Sequence, residues 1–331
     1  MIDAHAHLPA DHSSVIQVLD ELGVKVLNIS LGLDAGGAWR AHPMSGASVY
    51  AELARTQPRR FAWCTAFDPP APSDFDRPRR YVERVMAGLE RDFGAGAVAC
   101  KVWKNIGMEL RDGIGNWLMV DDRLFEPVFA LIEREQRSLI MHTGEPRACW
   151  EPLDERSPHY DYYSAHPTWH MFGREDVLSH AELIAARDRV VARHPRLRVV
   201  GAHLGSLEYD VGELAQRFER FPNFSVDSAE RLLDLTLQPV ERVREFFERY
   251  SDRLLWGSDL LFETAFSTMD PATLADSARR VRCTLEQELA YFGGKELVEV
   301  RGRRVPGLGL SGAAQERFFD ENARRVYQLG S

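Results

Sequence analysis

Short apolar runs, dense in β-branched residues, alternate along the chain with longer stretches in which apolar positions return every three or four residues. The runs at 2–5, 24–30, 60–66, 97–103, 138–142, 197–202, 223–226 and 253–257 predict eight strands. The stretches at 13–22, 78–93, 124–135, 177–194, 207–221 and 239–250 predict amphipathic helices between them. Pro58, Pro195 and Pro222 stand where a helix must stop before the next strand, because the residue before a proline is pushed out of helical geometry. Strands and helices alternating at this pitch pair in parallel through right-handed crossovers, and eight units favour a closed barrel over an open sheet. No G-x-G-x-x-G follows any strand, which weakens the open, dinucleotide-binding alternative. The expectation is therefore an α/β fold, a distorted (β/α)8 TIM barrel, forming one domain over residues 1–331. Two long segments break the pitch and read as loop insertions: 143–176 after strand five and 260–312 after strand eight, the second with a helical stretch at 271–292.

Composition narrows the partners more than the fold. The 331 residues carry a net charge of −9, with 41 Lys and Arg against 50 Asp and Glu, which argues against a broad nucleic-acid-binding face. No uninterrupted apolar stretch reaches the roughly 18–20 residues of a membrane span. The opening residues Met1 to His5 show no basic segment followed by an apolar one, so no secretory leader is expected. Cys64, Cys100, Cys149 and Cys283 are widely spaced and form no C-x-x-C pair. Cys64 and Cys100 lie in strand runs and read as buried free thiols, which suits a reducing, cytoplasmic setting.

The candidate chemistry sits at the C-terminal ends of the strands. Strand one ends in Asp3-Ala4-His5-Ala6-His7, and residues two apart on a strand face the same side. Strand five ends at His142, strand six at His203, and strand eight runs on to Asp259. A lone strand-end histidine is more often a hydrogen-bonded structural residue. Four histidines and an aspartate at one edge of a closed barrel converge on the face where active sites of this fold lie. Neutral imidazoles with a carboxylate suit one divalent metal, zinc foremost, with Fe2+ or Mn2+ compatible. With a coordination position left open, such a metal lowers the pKa of water to about 7. His12, His42, His159, His166, His170, His180 and His194 lack this placement; His166 and His170 are candidates for the pocket and the rest read as surface residues.

The motifs Asp3-Ala4-His5-Ala6-His7, His142-Thr143-Gly144-Glu145-Pro146, Gly201-Ala202-His203-Leu204-Gly205 and Trp256-Gly257-Ser258-Asp259 resemble the amidohydrolase superfamily. They are most similar to its amidohydrolase-related branch, which includes aminocarboxymuconate-semialdehyde decarboxylase-like proteins. The stretch Glu321-Asn322-Ala323-Arg324-Arg325-Val326-Tyr327 resembles the closing helix of that branch. The resemblance implies a metal at the barrel mouth with His5, His7 and His142 as ligands. It makes Asp259 a ligand or a close partner of the metal's water, and His203 an imidazole that either supports the ligands from behind or is catalytic. Binuclear members of the superfamily carry a carboxylated lysine on strand four, where Lys101 stands; the resemblance implies an uncarboxylated Lys101, an ammonium near the metal or paired with a substrate carboxylate. Relatives are often dimers, so a homodimer is compatible.

Lys101, Glu145, Arg174 and His166 are candidate substrate-binding residues, and Lys104, Asn105 and Arg147 lie in loops able to reach the same mouth. Glu145 could instead orient a ligand histidine or cap its loop. Trp150, Tyr160, Tyr162, Tyr163 and Trp169 crowd the first insertion, either lining a pocket or pinning the loop down. The leading expectation is a metal-dependent hydrolase acting on an amide, lactone or ester of a small molecule, with Asp259 as base and His203 polarising the carbonyl. The alternatives are a non-oxidative decarboxylase or hydratase on the same scaffold, and a binding protein without activity.

Overall fold

The computed structural model describes residues 1–30, 32–33, 39–40, 47–262 and 266–330. Eight parallel strands run in sequence order around one sheet: β1 (Ile2–Ala6), β2 (Lys25–Ile29), β3 (Phe61–Ala66), β4 (Ala99–Val102), β5 (Ser138–Met141), β6 (Arg198–Gly201), β7 (Phe224–Asp227) and β8 (Leu254–Leu255). The segment after β8 returns to β1 and closes the barrel. Ala4 N donates to Trp256 O, Asp259 N to His5 O and His7 N to Leu260 O, each at 2.8 Å. The helices α1 (Ser13–Leu22), α2 (Ala47–Thr56), α3 (Pro78–Gly94), α4 (Glu126–Arg134), α5 (His180–Arg193), α6 (Val211–Arg220), α7 (Val240–Arg249) and α8 (Pro271–Gly293) complete a (β/α)8 barrel.

Most elements fall where the hydrophobic pattern puts them, with ends set by local chemistry. The stretch expected to be helical from 177 begins only at His180, because Ser179 Oγ accepts from Glu182 N while the Glu182 carboxylate accepts from Ser179 N. Helix α6 starts at Val211 rather than 207, where Asp210 accepts from Gly212 N. Helix α2 was marked in the sequence only by its stop at Pro58. Helix α8 is not part of an insertion: it packs against α1 as the eighth barrel helix, burying Val281 and Leu285. Behind it, β9 (Leu297–Val300) and β10 (Arg303–Pro306) form an antiparallel hairpin.

The lumen is filled by apolar side chains. Ala4, Ala62, Ala99 and Ala202 pack with Ile2, Leu27, Ile29, Ile140, Val200 and Leu255, and the C-terminal helix Asn322–Tyr327 plugs the bottom with Ala323, Val326 and Tyr327. Asn322 holds that plug by donating to Ser251 O at 2.7 Å and Leu254 O at 2.8 Å. A larger apolar layer fills the space between strands and helices. The insertion after β5 is anchored by Cys149, Tyr163, Met171 and Leu183, with Trp150 Nε1 donating to Leu178 O at 2.8 Å. Cys64, Cys100 and Cys149 are buried free thiols and Cys283 is exposed. Among the described residues no helix is long and apolar enough to cross a membrane.

Candidate metal centre

Three backbone devices turn the strand-end residues into the lumen. In β1, Ile2 and Ala4 face the lumen and Ala6 faces the helices, so strict alternation would send His5 outward. A register irregularity between Asp3 and Ala6 breaks the alternation and brings His5 inside. Just past β6, Ala202 faces the lumen, and the next residue, His203, joins it by adopting φ 57. Asp259 likewise sits at φ 55. Left-handed backbone at a non-glycine costs about 1–2 kcal/mol, and such residues concentrate where a side chain must be aimed. The close approach of the segment after β8 to β1 requires Gly257, since a Cβ there would lie 2.8 Å from His5 Cβ. Asp3 stitches the same seam by accepting from Ser258 Oγ at 2.5 Å and Ser258 N at 3.0 Å.

The imidazoles are buried, and those of His5, His7 and His203 are fixed by what their Nδ1 atoms touch. His7 Nδ1 lies 2.7 Å from Ile29 O and His203 Nδ1 2.9 Å from Ala229 O; a carbonyl only accepts, so each Nδ1 carries the proton. His5 Nδ1 lies 2.8 Å from Asp227 Oδ2, an acceptor too when ionised. All three rings therefore turn lone-pair-bearing Nε2 atoms away from these anchors. His5 Nε2 is 3.5 Å and His7 Nε2 3.2 Å from Asp259 Oδ1, and Lys101 Nζ is 2.9 Å from His5 Nε2. His5, His203 and Asp259 each offer an atom within 4.8 Å of one another. The His142 ring lies 4.4 Å from that of His203, centroid to centroid.

Electrostatics favour a cation at this point. Burial lowers the pKa values of His7, His142 and His203, the last two steeply, so these rings are neutral at pH 7. Burial opposes ionisation of Asp259, yet its carboxyl lies well below its usual range, because a proton entering the cluster is held by the His203, His7 and His5 rings rather than by the carboxylate. An ionised carboxylate and several converging lone pairs fit a divalent ion, with Asp227 orienting His5 from behind as a carboxylate does behind a metal-bound histidine. Asp227 was missed in the sequence, although it directly follows the run at 223–226 and obeys the same strand-end rule. It is fully buried and accepts from His203 N at 2.8 Å as well as facing His5.

The other candidates divide. Lys101 belongs to the cluster. Glu145 does not touch a ligand histidine; it pairs with buried Lys104 and accepts from Tyr163 OH at 3.2 Å. The Lys104 ammonium also donates to Tyr162 OH at 3.1 Å and lies 4.3 Å from the centre of the Trp169 ring, so these insertion aromatics cage a cation. Arg174 is exposed and donates to Thr168 O, and His166 is exposed against Tyr162, 4.9 Å between rings. The structure brings neither to the imidazole cluster. His180 and His194, read as surface residues, are buried: His180 Nε2 bonds Ser206 O beyond β6, and His194, at the end of α5, packs edge-on against Phe129 of α4. His42 lies outside the described residues.

A second buried polar group lies beside the first. Glu208 accepts from Arg147 N at 2.8 Å; burial, then the Asp234 charge, push its carboxyl from 4.5 up to about 7 against the pull of Arg231. The folded value stands above the unfolded one, so the native state binds the extra proton and stability falls as pH rises from about 4.5 to about 7. Glu208→Gln keeps the bond to Arg147 N and is expected to remove on the order of 1 kcal/mol of that decline, read by denaturant titration at pH 5 and pH 8. An unchanged pH slope would mean that Glu208 ionises normally in the folded chain.

A closed (β/α)8 barrel with imidazoles and a carboxylate gathered at its C-terminal mouth is the frame of an enzyme. The sequence matches the family profile described as Amidohydrolase over residues 2–329, and the chain belongs to that family. No curated protein matches the sequence significantly. Similar solved structures include a 2,6-dihydroxybenzoate decarboxylase from Rhizobium, with 18% identity and a TM-score of 0.53 over 96% of this chain and 88% of the other. A dihydroxybenzoic acid decarboxylase from a Polaromonas species, with bound manganese and an inhibitor, is 17% identical with a TM-score of 0.51 over 96% and 86%. A probable 2-pyrone-4,6-dicarboxylic acid hydrolase from Acinetobacter baumannii, with citric acid bound, is 10% identical with a TM-score of 0.50 over 99% and 98%. At these identities the shared property is the fold.

Proposed function

We propose that the chain is a metal-dependent hydrolase that cleaves a C–N or C–O bond of the amide, lactone or ester type in a small molecule. The observation that carries this reading is the Asp259 carboxylate: ionised, 22% exposed where its imidazole neighbours are closed off, and 3.2 Å from His7 Nε2. His5, His7, His142 and Asp259 would hold one divalent ion, zinc first and manganese or iron as alternatives, which when bound supplies Lewis acidity and eases ionisation of water near neutral pH. Asp259 takes the proton of the attacking water and returns it to the leaving group. His203 cannot polarise a carbonyl in its neutral form, because its proton is committed to Ala229 O; its Nε2 accepts a proton or adds to the donor set. The Lys101 ammonium offsets the paired negative charges of Asp227 and Asp259 from the opposite wall, and those charges in turn oppose the lowering of its pKa by burial.

Non-oxidative decarboxylation, or hydration, is the second reading. It is favoured by the dihydroxybenzoate decarboxylases that share the fold, and a half-buried carboxylate base serves equally to move a proton at carbon. The test is a panel of lactones, amides, esters and carboxylated aromatics offered to zinc- and manganese-loaded protein. Acid release without gas supports hydrolysis, and CO2 release replaces that reading with the second. Absence of both from protein shown to hold metal would sink the two together.

A further inference from the structure

The loops around the mouth carry several cations, and their bonding separates them. Lys104 is spent on Glu145, Tyr162 and the Trp169 face. Arg174 is exposed and bonded to a backbone carbonyl. Arg147 is exposed, with its guanidinium over the Tyr209 ring. Arg231 differs. It follows β7 four residues after Asp227, just past Ala229, whose carbonyl accepts from His203, and it is buried. Its NH1 donates to the carbonyl of Glu230 at 2.8 Å, and among the described residues its nearest carboxylate, Asp234, stands 4.0 Å away and its Nε has no partner. Asp234 is meanwhile engaged by His159 Nε2 at 2.9 Å, and Glu208 by Arg147 N. A guanidinium offers five donors in a planar fork matched to a carboxylate, and buried donors left unused have lost their water without gaining a partner. Burial opposes the charge on Arg231, yet Asp234, Glu208 and Glu230 keep it protonated, and that charge reaches across the mouth to disfavour protonation of His142, His203 and Lys104.

We infer that Arg231 is the anion anchor of this mouth: its unused donors take a carboxylate of the substrate and set it against the His203 and Asp259 side of the cluster, so the enzyme acts on organic acids in preference to their neutral analogues. The inference rests on the mouth being the active site, but its test needs no turnover. Benzoate and benzamide differ in charge and scarcely in shape. Each is titrated calorimetrically into manganese-loaded full-length protein, wild type and Arg231→Gln. The wild type is expected to prefer benzoate, and Arg231→Gln to lose roughly 10- to 100-fold of benzoate affinity while benzamide is unchanged. Equal affinities of wild type and variant for benzoate, an equal loss for both probes, or no preference in the wild type would each overturn the anchor. Should Arg231→Gln fail to fold by circular dichroism, Arg231→Lys decides, since it keeps the charge and loses the fork: weakened benzoate preference supports the anchor and an intact one overturns it. Failure of every compound in the activity panel, with the benzoate preference intact, removes the hydrolase reading and leaves the anchor standing.

Discussion

Asp259→Asn is expected to lower kcat by roughly 10³-fold on whichever substrate the panel yields, with little change in fold. The amide keeps the shape of the carboxylate and one carbonyl-type acceptor, but it cannot take a proton at neutral pH. The backbone of residue 259 is held independently of its side chain, by its own N–H to His5 O at 2.8 Å. Left-handed backbone at this position favours asparagine as much as aspartate, so the strain at φ 55 does not grow. The comparison requires steady-state kinetics together with metal content and thermal melting of both proteins. Near-normal turnover in the variant would remove Asp259 from the chemistry altogether. A loss of metal accompanying the loss of rate would assign the residue to holding the ion rather than to moving the proton.

The second large effect concerns a residue that touches neither substrate nor solvent. Asp227→Asn should weaken divalent metal binding by about 10- to 100-fold. In the wild type the carboxylate receives the proton of His5 Nδ1 at 2.8 Å and so presents Nε2 as a lone pair. Asp227 also accepts from His203 N at 2.8 Å and Ala229 N at 3.3 Å through Oδ1, bonds that the amide oxygen of asparagine inherits. The amide nitrogen is then left facing His5 Nδ1. Two donors cannot face each other, so the imidazole shifts its proton to Nε2 and closes its lone pair to a metal. Nitrogen-15 chemical shifts of the His5 ring report the tautomer directly, and zinc titration reports the affinity. An unchanged tautomer with unchanged affinity would show that His5 is oriented by its packing and that Asp227 contributes only structure. Since Asp227 is fully buried, Asp227→Ala would mix both effects with the cost of an unpaired ring and two unpaired amides, which makes asparagine the cleaner test.

Much of the fold was legible because it depends on periodicity. Parallel strands buried on both faces appear as short apolar runs, helices on the outside repeat every three to four residues, and prolines punctuate the joins. That was enough to set eight units in order, to place His5, His7, His142, His203 and Asp259 at one end, and, with the motifs, to point to the amidohydrolase family, which the family match over 2–329 bears out. Strand ends were less legible. The eighth run was expected over 253–257 and forms a strand only at Leu254–Leu255, because Trp256 N turns away to Phe318 O and Gly257 N to Ser228 Oγ. Asp227 escaped because an acidic residue ending an apolar run also resembles the first residue of a loop. Glu145 was read from its nearness in sequence to His142, whereas its partner Lys104 comes from a different loop 41 residues away.

The order of apolar and polar residues alone determined that this chain is an eight-unit barrel with imidazoles and a carboxylate at one rim, since burial of hydrophobic faces leaves few other solutions. Which atoms of those side chains face one another was decided only in three dimensions. The irregularity in β1 and the left-handed backbone at His203 and Asp259 depend on how separate strands meet. The tautomers of His5, His7 and His203 depend on acceptors at Asp227, Ile29 and Ala229, the nearest of them more than twenty residues distant in the chain. Hydrogen bonds are directional and short-ranged, so their pairing follows the closed barrel, while hydrophobic burial has no direction and is written along the sequence itself.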